Sequence, residues 1–237
     1  MPRLRYIEED EKSEEARELI AQYESRGAPD PRVVSIMVRN PKVGVTWVKY
    51  WNALLYDGLL PHTLKELCRI KISVAHRCGY CSTVRSKIAQ SEGLAEEKVA
   101  QLENYETSDA FTDRERAAIR YATLFKTGND GVDSDKVYDD LRVHFSEEEI
   151  IELGLFCAET DGAGKFVRSL QVLSWEEACD INPNLCAIDL AKSVVPRGRS
   201  CRRRLSPAPY RSLADGRIKS RGGHQFSSPE QKFREQS

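Results

Sequence analysis

Three absences bound this 237-residue chain before any motif is read. No apolar run approaches the roughly 18–20 residues that a membrane span needs; the longest, 150–158, is interrupted by Glu152. The N-terminus, Met-Pro-Arg-Leu-Arg-Tyr followed by Glu8, Glu9 and Asp10, lacks the apolar segment of a signal peptide. No stretch of alternating polar and apolar residues announces a strand. The expectation is a soluble, non-secreted, cytoplasmic protein of all-α class. Net charge is also nearly absent, with 36 Lys+Arg against 37 Asp+Glu, but that figure is a cancellation. Residues 196–237 carry 11 basic and 3 acidic side chains, a local charge of +8, which leaves −9 on residues 1–195.

The body, 1–195, is rich in Leu, Ile, Val and Ala and long enough for one good-sized core. The tail, 196–237, is different: 15 of its 42 residues are Gly, Pro or Ser. Such a segment cannot bury enough surface to offset its ordering entropy, and we read it as disordered. Its basic side chains, Arg202-Arg203-Arg204 among them, read as a solvated extension, with no nucleic acid and no membrane as partner.

Helical periodicity runs through the body. Ala16, Leu19, Ile20 and Tyr23 share one face of a first helix, 33–38 form a short one, and Val45, Val48, Trp51, Leu54 and Leu55 stripe a helix over Val43–Tyr56. Pro61 suits the first turn of the next helix, which carries Leu64, Leu67, Cys68, Ile70, Ile72 and Val74. A break near Arg77-Cys78-Gly79 precedes a helix over 80–92, closed by Gly93. Capping boxes at Thr112–Glu115 and Ser146–Glu149 start two later helices, the second running to about Ser174, with a shorter one over 133–143 between them. Trp47, Trp51 and Trp175 read as core or subunit-interface aromatics. The run Asp161-Gly162-Ala163-Gly164 predicts a close helix approach and lacks the strand-to-helix setting of a nucleotide loop. Nothing has the form of a Ser/His/Asp triad.

Seven cysteines at positions 68, 78, 81, 157, 179, 186 and 201 make an odd number at irregular spacings, so free thiols are the default over a disulfide framework. Only Cys78-Gly79-Tyr80-Cys81 has a spacing that points to chemistry. Near a helix N-terminus its two sulfurs can face each other across a turn. The partial positive charge there, and Arg85 four residues beyond Cys81 on the same face, would stabilise a thiolate. One thiolate that attacks an oxidant and a second that resolves the sulfenic acid complete a thiol-peroxidase cycle. Core packing of an incidental pair and zinc are the rivals. His76, Cys78 and Cys81 offer three zinc ligands, but no second Cys or His pair lies at the spacing a structural site wants.

The surrounding pattern resembles a known family. Leu60-Pro61, Glu66-Leu67, Cys78-x-Tyr80-Cys81 and Gly93-Leu94, with Phe111-Thr112, Glu115-Arg116-Ala117-Ala118 and His144-Phe145-Ser146, looks like the carboxymuconolactone decarboxylase/alkylhydroperoxidase D-like (AhpD-like) family over roughly 30–175. The resemblance implies a multi-helix AhpD-like domain that assembles as homo-trimers or hexamers. For the CxxC-bearing branch it implies a peroxidase that uses both cysteines on a small hydroperoxide and is restored by an external dithiol, without a bound cofactor or metal. In that branch Cys81 attacks the peroxide, Cys78 resolves it, and Glu66 belongs to a proton relay. Twelve residues of unbroken helix would hold Glu66 about 18 Å from Cys78, so the relay requires the chain to turn near Cys78.

One departure matters. Where the family has histidine four residues after the second cysteine, this chain has Arg85. Arginine can hold a thiolate charged and pair with Glu66, but it does not give up its proton. His76 is a possible substitute, and otherwise the peroxidase is slow or uses another donor. The alternatives are a decarboxylase-like lyase acting on a small cyclic carboxylate, against which the two thiols argue, and a degenerate non-catalytic member.

Overall fold

The computed structural model describes residues 2–26, 30–127, 131–182 and 185. The chain divides into two units, Met1–Val195 and Pro196–Ser237. The whole second unit, with the disorder expected of it, lies outside the described residues, as do Cys186 and Cys201. Among the described residues there are eleven α-helices and no strand, as expected of an all-α protein. They are α1 (Glu14–Ser25), α2 (Arg32–Met37), α3 (Val43–Tyr56), α4 (His62–Ala75), α5 (Gly79–Thr83), α6 (Lys87–Ser91), α7 (Glu96–Val99), α8 (Asp113–Thr127), α9 (Asp135–His144), α10 (Glu147–Leu170) and α11 (Trp175–Ile181). No described helix is long and apolar enough to cross a membrane.

The centre of the fold is α4. One of its faces, with Leu64, Cys68 and Ile72, packs against Ala118, Tyr121 and Ala122 of α8 and Leu153, Phe156 and Cys157 of α10. The opposite face, with Leu67, Ile70 and Val74, packs against Ala89, Leu94, Val99, Phe111 and Ile119. Twelve of its 14 residues are buried, four of them charged. A buried charge without a partner costs several kcal/mol, so each must be met. Lys65 Nζ donates to the Leu54 carbonyl at 2.8 Å and lies 2.6 Å from Glu152 Oε1. Lys71 Nζ donates to the Leu102 carbonyl at 3.1 Å and lies 3.3 Å from Glu103. Glu66 and Arg69 pair with each other, and that pair builds the site.

Two boundaries differ from the sequence expectation. The last long helix stops at Leu170, because Gln171 takes a left-handed conformation at φ 53°. A separate α11 then starts behind a capping box made by Ser174 and Glu177. The helix expected over 80–92 is split in two. Val84 is extended, and Ser86 restarts the chain as the cap of α6, accepting from the Ala89 N–H. The cause is Arg69, whose guanidinium donates to the carbonyls of Cys81 at 2.6 Å and Val84 at 2.7 Å. Those carbonyls would otherwise accept from the next helical turn.

Candidate active site

The turn that the relay geometry requires is present. After α4 ends at His76, Arg77 adopts φ 50°, and the chain reverses into α5. Cys78 caps α5, its Sγ accepting from the Cys81 N–H at 3.3 Å. Cys78 and Cys81 are joined as a disulfide. Cys179 is disulfide-bonded as well. The free-thiol expectation therefore holds, among the described residues, only for Cys68 and Cys157, both buried. Burial, and then the neighbouring Cys68, push the Cys157 thiol well above its ordinary value, so it is inert at neutral pH.

The two sulfurs have different surroundings. Cys78 is 1% exposed and belongs to an apolar cluster with Val33, Ile36, Val167 and Leu170. Cys81 lines a cavity of about 100 Å³ to which α1, α2, α3, α4 and α10 all contribute. Its walls include the rings of Tyr23, Trp47, Trp51, Tyr56 and Tyr80. Trp47 stacks on Trp51 with centroids 6.2 Å apart, and Trp51 stacks on Phe156 at 5.8 Å. These tryptophans therefore serve the cavity as well as the core. On the α10 side Thr160 also lines the cavity, its buried Oγ1 without a hydrogen-bond partner among the described residues.

Glu66 also lines the cavity, 2% exposed, with Arg69 as its partner: Nε to Oε1 at 2.8 Å and Nη2 to Oε2 at 2.9 Å. Burial works to raise the Glu66 carboxyl. The charge and hydrogen bonds of Arg69 outweigh it and hold the group below its ordinary value. The pairing suggested for Arg85 is thus taken by Arg69. Arg85 lines the cavity but donates Nε to Glu96 at 2.8 Å and Nη1 to the Ser82 and Val84 carbonyls at 2.6 and 3.0 Å. Because the helix breaks at Val84, Arg85 does not continue the helical face that carries Cys81. His76 is buried with its Nε2 2.7 Å from Asp161 Oδ1 of α10, and it is not among the cavity-lining residues. Among the described residues no group of three or more His, Cys, Asp or Glu is placed to hold a metal.

Arg69 and Ser86, both on the cavity wall, escaped the sequence reading. Arg69 had a signal, since Glu66 and Arg69 stand at the i,i+3 spacing of a helical ion pair. The glycine between the cysteines has its own reason. A Cβ on Gly79 would stand 2.1 Å from the Ser174 carbonyl oxygen and 2.6 Å from that of Leu173. Gly79→Ala is therefore expected to push α5 off the 173–174 segment, lowering the melting temperature and slowing any reaction of Cys81 with peroxide. Unchanged melting and unchanged thiol reactivity in that variant would show that the contact is loose.

Comparison with known proteins adds the following. Residues 41–124, which run from α3 into α8 and include the CxxC pair, match the model of the carboxymuconolactone decarboxylase family. Rv2313c of Mycobacterium tuberculosis H37Rv, an uncharacterized protein, is 28% identical over 113 residues. That alignment covers 43% of this chain and 39% of the mycobacterial protein, so this chain spans well under half of that relative's length. Among solved structures, the debrominase Bmp8 superimposes with a TM-score of 0.62 at 22% identity, covering 77% of this chain and 96% of the other. A cysteine-to-alanine variant of it has been solved with 2,3,4-tribromopyrrole. ATU0492 of Agrobacterium tumefaciens, a protein of unknown function described as a candidate antioxidant defence protein AhpD, gives a TM-score of 0.52 at 20% identity over 57% of this chain and 92% of its own. The resemblance read from the sequence and its all-α AhpD-like fold are borne out.

Proposed function

From a chain whose residues 41–124 carry the carboxymuconolactone decarboxylase family pattern on an AhpD-like fold, we propose a cytoplasmic thiol-dependent peroxidase that reduces small organic hydroperoxides. The observation that carries this reading is the asymmetry of the pair: Cys81 opens into the cavity, while its disulfide partner Cys78 is sealed behind it. In the reduced protein the Cys81 thiolate attacks the terminal peroxide oxygen. An S–O bond forms, the O–O bond breaks, and the alkoxide leaves as alcohol after taking a proton. Cys78 then attacks the sulfenic sulfur, water leaves, and the observed Cys78–Cys81 disulfide results. An external dithiol reduces it by exchange and becomes the oxidised product. Arg69 and Arg85 line the cavity with Cys81, each ion-paired, with Glu66 and Glu96 respectively, and Arg69 holds the Cys81 carbonyl.

The aromatic walls and the likeness to Bmp8 support a second reading, reductive dehalogenation of a halogenated ring by the same dithiol. There an aryl halide and two thiols give arene, disulfide and hydrogen halide. One experiment addresses both. The reduced protein is treated with one equivalent of tert-butyl hydroperoxide, or with tribromopyrrole, and free thiols and bromide are counted. Loss of two thiols to peroxide is the expected result. Bromide release without reaction toward peroxide favours the second reading, and inertness toward both removes thiol chemistry. Turnover of a carboxylated lactone by a Cys78→Ser/Cys81→Ser double variant would instead favour the lyase.

The exposed apolar side chains Ile151, Leu155 and Phe166 share one face of α10 and support the proposed homo-oligomer. Light scattering that returns the mass of one chain would remove this part of the reading.

A further inference from the structure

We propose that Ser86 and His62 form the proton relay that serves Cys81, replacing the histidine whose place Arg85 occupies. The inference rests on the peroxidase reading. Ser86 is the residue after Arg85, it is 5% exposed, and it lines the cavity that Cys81 lines. Its Oγ lies 2.6 Å from His62 Nε2, while His62 Nδ1 lies 3.1 Å from the Leu55 carbonyl. A carbonyl oxygen can only accept, so Nδ1 carries the imidazole proton. Nε2 is thereby left as an acceptor, and the Ser86 hydroxyl donates to it. This is a hydroxyl on a cavity wall backed by an oriented base, which is the arrangement an activated proton path requires.

The surroundings fix both groups. The His62 ring stacks on Tyr56, another cavity wall, with centroids 5.3 Å apart and planes 10° off parallel. Ser86 Oγ also accepts from the Ala89 N–H at 3.3 Å, and the Ser86 N–H reaches Glu66 Oε2 at 3.4 Å. The charged groups facing His62 are Glu66 and Lys65 of its own helix and Glu92 beyond α6. Burial lowers the imidazole below its ordinary value of 6.5; Glu66 and Glu92 oppose that and Lys65 assists it. His62 is therefore a neutral base at pH 7. The other titratable groups are less suited. Glu66 is held as a carboxylate by Arg69, Arg85 keeps its proton, and His76 is tied to Asp161.

The steps balance without any added group. As Cys81 loses its S–H proton to Ser86 Oγ, directly or through one bridging water, the Ser86 hydroxyl proton passes to His62 Nε2. The thiolate attacks the peroxide, S–O forms and O–O breaks. The proton then returns from His62 through Ser86 to the departing alkoxide. The sum is Cys–SH plus ROOH giving Cys–SOH plus ROH. In this path Ser86, on the cavity wall that Cys81 shares, exchanges the proton with Cys81, and His62 acts through it.

The test follows oxidation of the reduced full-length chain by tert-butyl hydroperoxide between pH 5 and 8, using the fluorescence of Trp47 and Trp51 with thiol counts as a check. The wild-type rate is expected to fall on the acid side with an inflection below 6.5, where His62 protonates. Ser86→Ala is expected to lose about 10²-fold in rate and the inflection with it. Ser86→Thr, which keeps the hydroxyl, should retain both. His62→Gln should match Ser86→Ala, and the double variant should be no slower than either alone, since the two act as a unit. Circular dichroism and melting identify a variant that fails to fold, and the folded Ser86→Ala and Ser86→Thr pair then decides. Wild type that loses thiols while Ser86→Ala keeps its rate and pH profile overturns the relay alone. Wild type that loses no thiols overturns the relay together with the peroxidase reading.

Discussion

Cys81→Ser is expected to abolish turnover of an organic hydroperoxide, by about 10⁴-fold or more, as removal of a nucleophile does. Cys78→Ser is expected to behave differently. Cys81 remains able to attack once, giving a sulfenic acid one oxygen heavier by mass, and the cycle stops there because nothing resolves it. The site contains two opposed cues on this point. Access favours Cys81, the cysteine on the cavity wall. Backbone polarity favours Cys78, whose sulfur receives the Cys81 N–H at 3.3 Å at the start of α5. We give access the greater weight, because a five-residue helix has little dipole to offer while a sealed sulfur cannot meet a peroxide at all. If Cys78→Ser loses the first oxidation and Cys81→Ser keeps it, the roles are reversed. Intact protein mass after a single equivalent of peroxide reads the answer directly.

How far the sequence carries depends on whether a residue's role is local. The helix over Val43–Tyr56 is legible to both ends, because its apolar stripe and the Asp57-Gly58 stop lie within one segment. The cysteine pair and the break before it are legible for the same reason. Arg69 is not. Three residues after Glu66 it reads as an ordinary surface ion pair, and only the packing of α4 on both sides turns it into a buried clamp. That packing had a trace in the sequence, since Leu64, Cys68 and Ile72 stripe one face of α4 and Leu67, Ile70 and Val74 the opposite one. The split at Val84 follows from Arg69 taking two carbonyls, so it was hidden with its cause. The His62–Ser86 contact joins residues 24 apart across that split, and no periodicity reports it. Arg85 was misplaced by the same missed break.

Arg69→Leu is expected to cost about 3–5 kcal/mol of stability at neutral pH, because it leaves the Glu66 carboxylate buried without a partner. The pH dependence should change sign with it. In the wild type the folded Glu66 pKa lies below its ordinary value of 4.5. Its contribution is therefore fully present above about 4.5 and is lost as pH falls through the lower folded value. Without Arg69 burial is the largest remaining effect, opposed only by His62 and the Ser86 N–H, so the folded pKa is expected to rise above 4.5; the variant is then least stable at neutral pH and regains stability as the solution is acidified toward that value. Urea unfolding at pH 7 and pH 5 measures this. Glu66→Leu in the Arg69→Leu background should restore much of the loss, since the orphaned charge is gone. Peroxide reactivity should not return with stability. The guanidinium is also what draws the Cys81 and Val84 carbonyls toward α4, and no leucine replaces those hydrogen bonds. A double variant that recovers both stability and full reactivity would show that Arg69 serves packing alone, whereas recovery of stability only would separate its two roles.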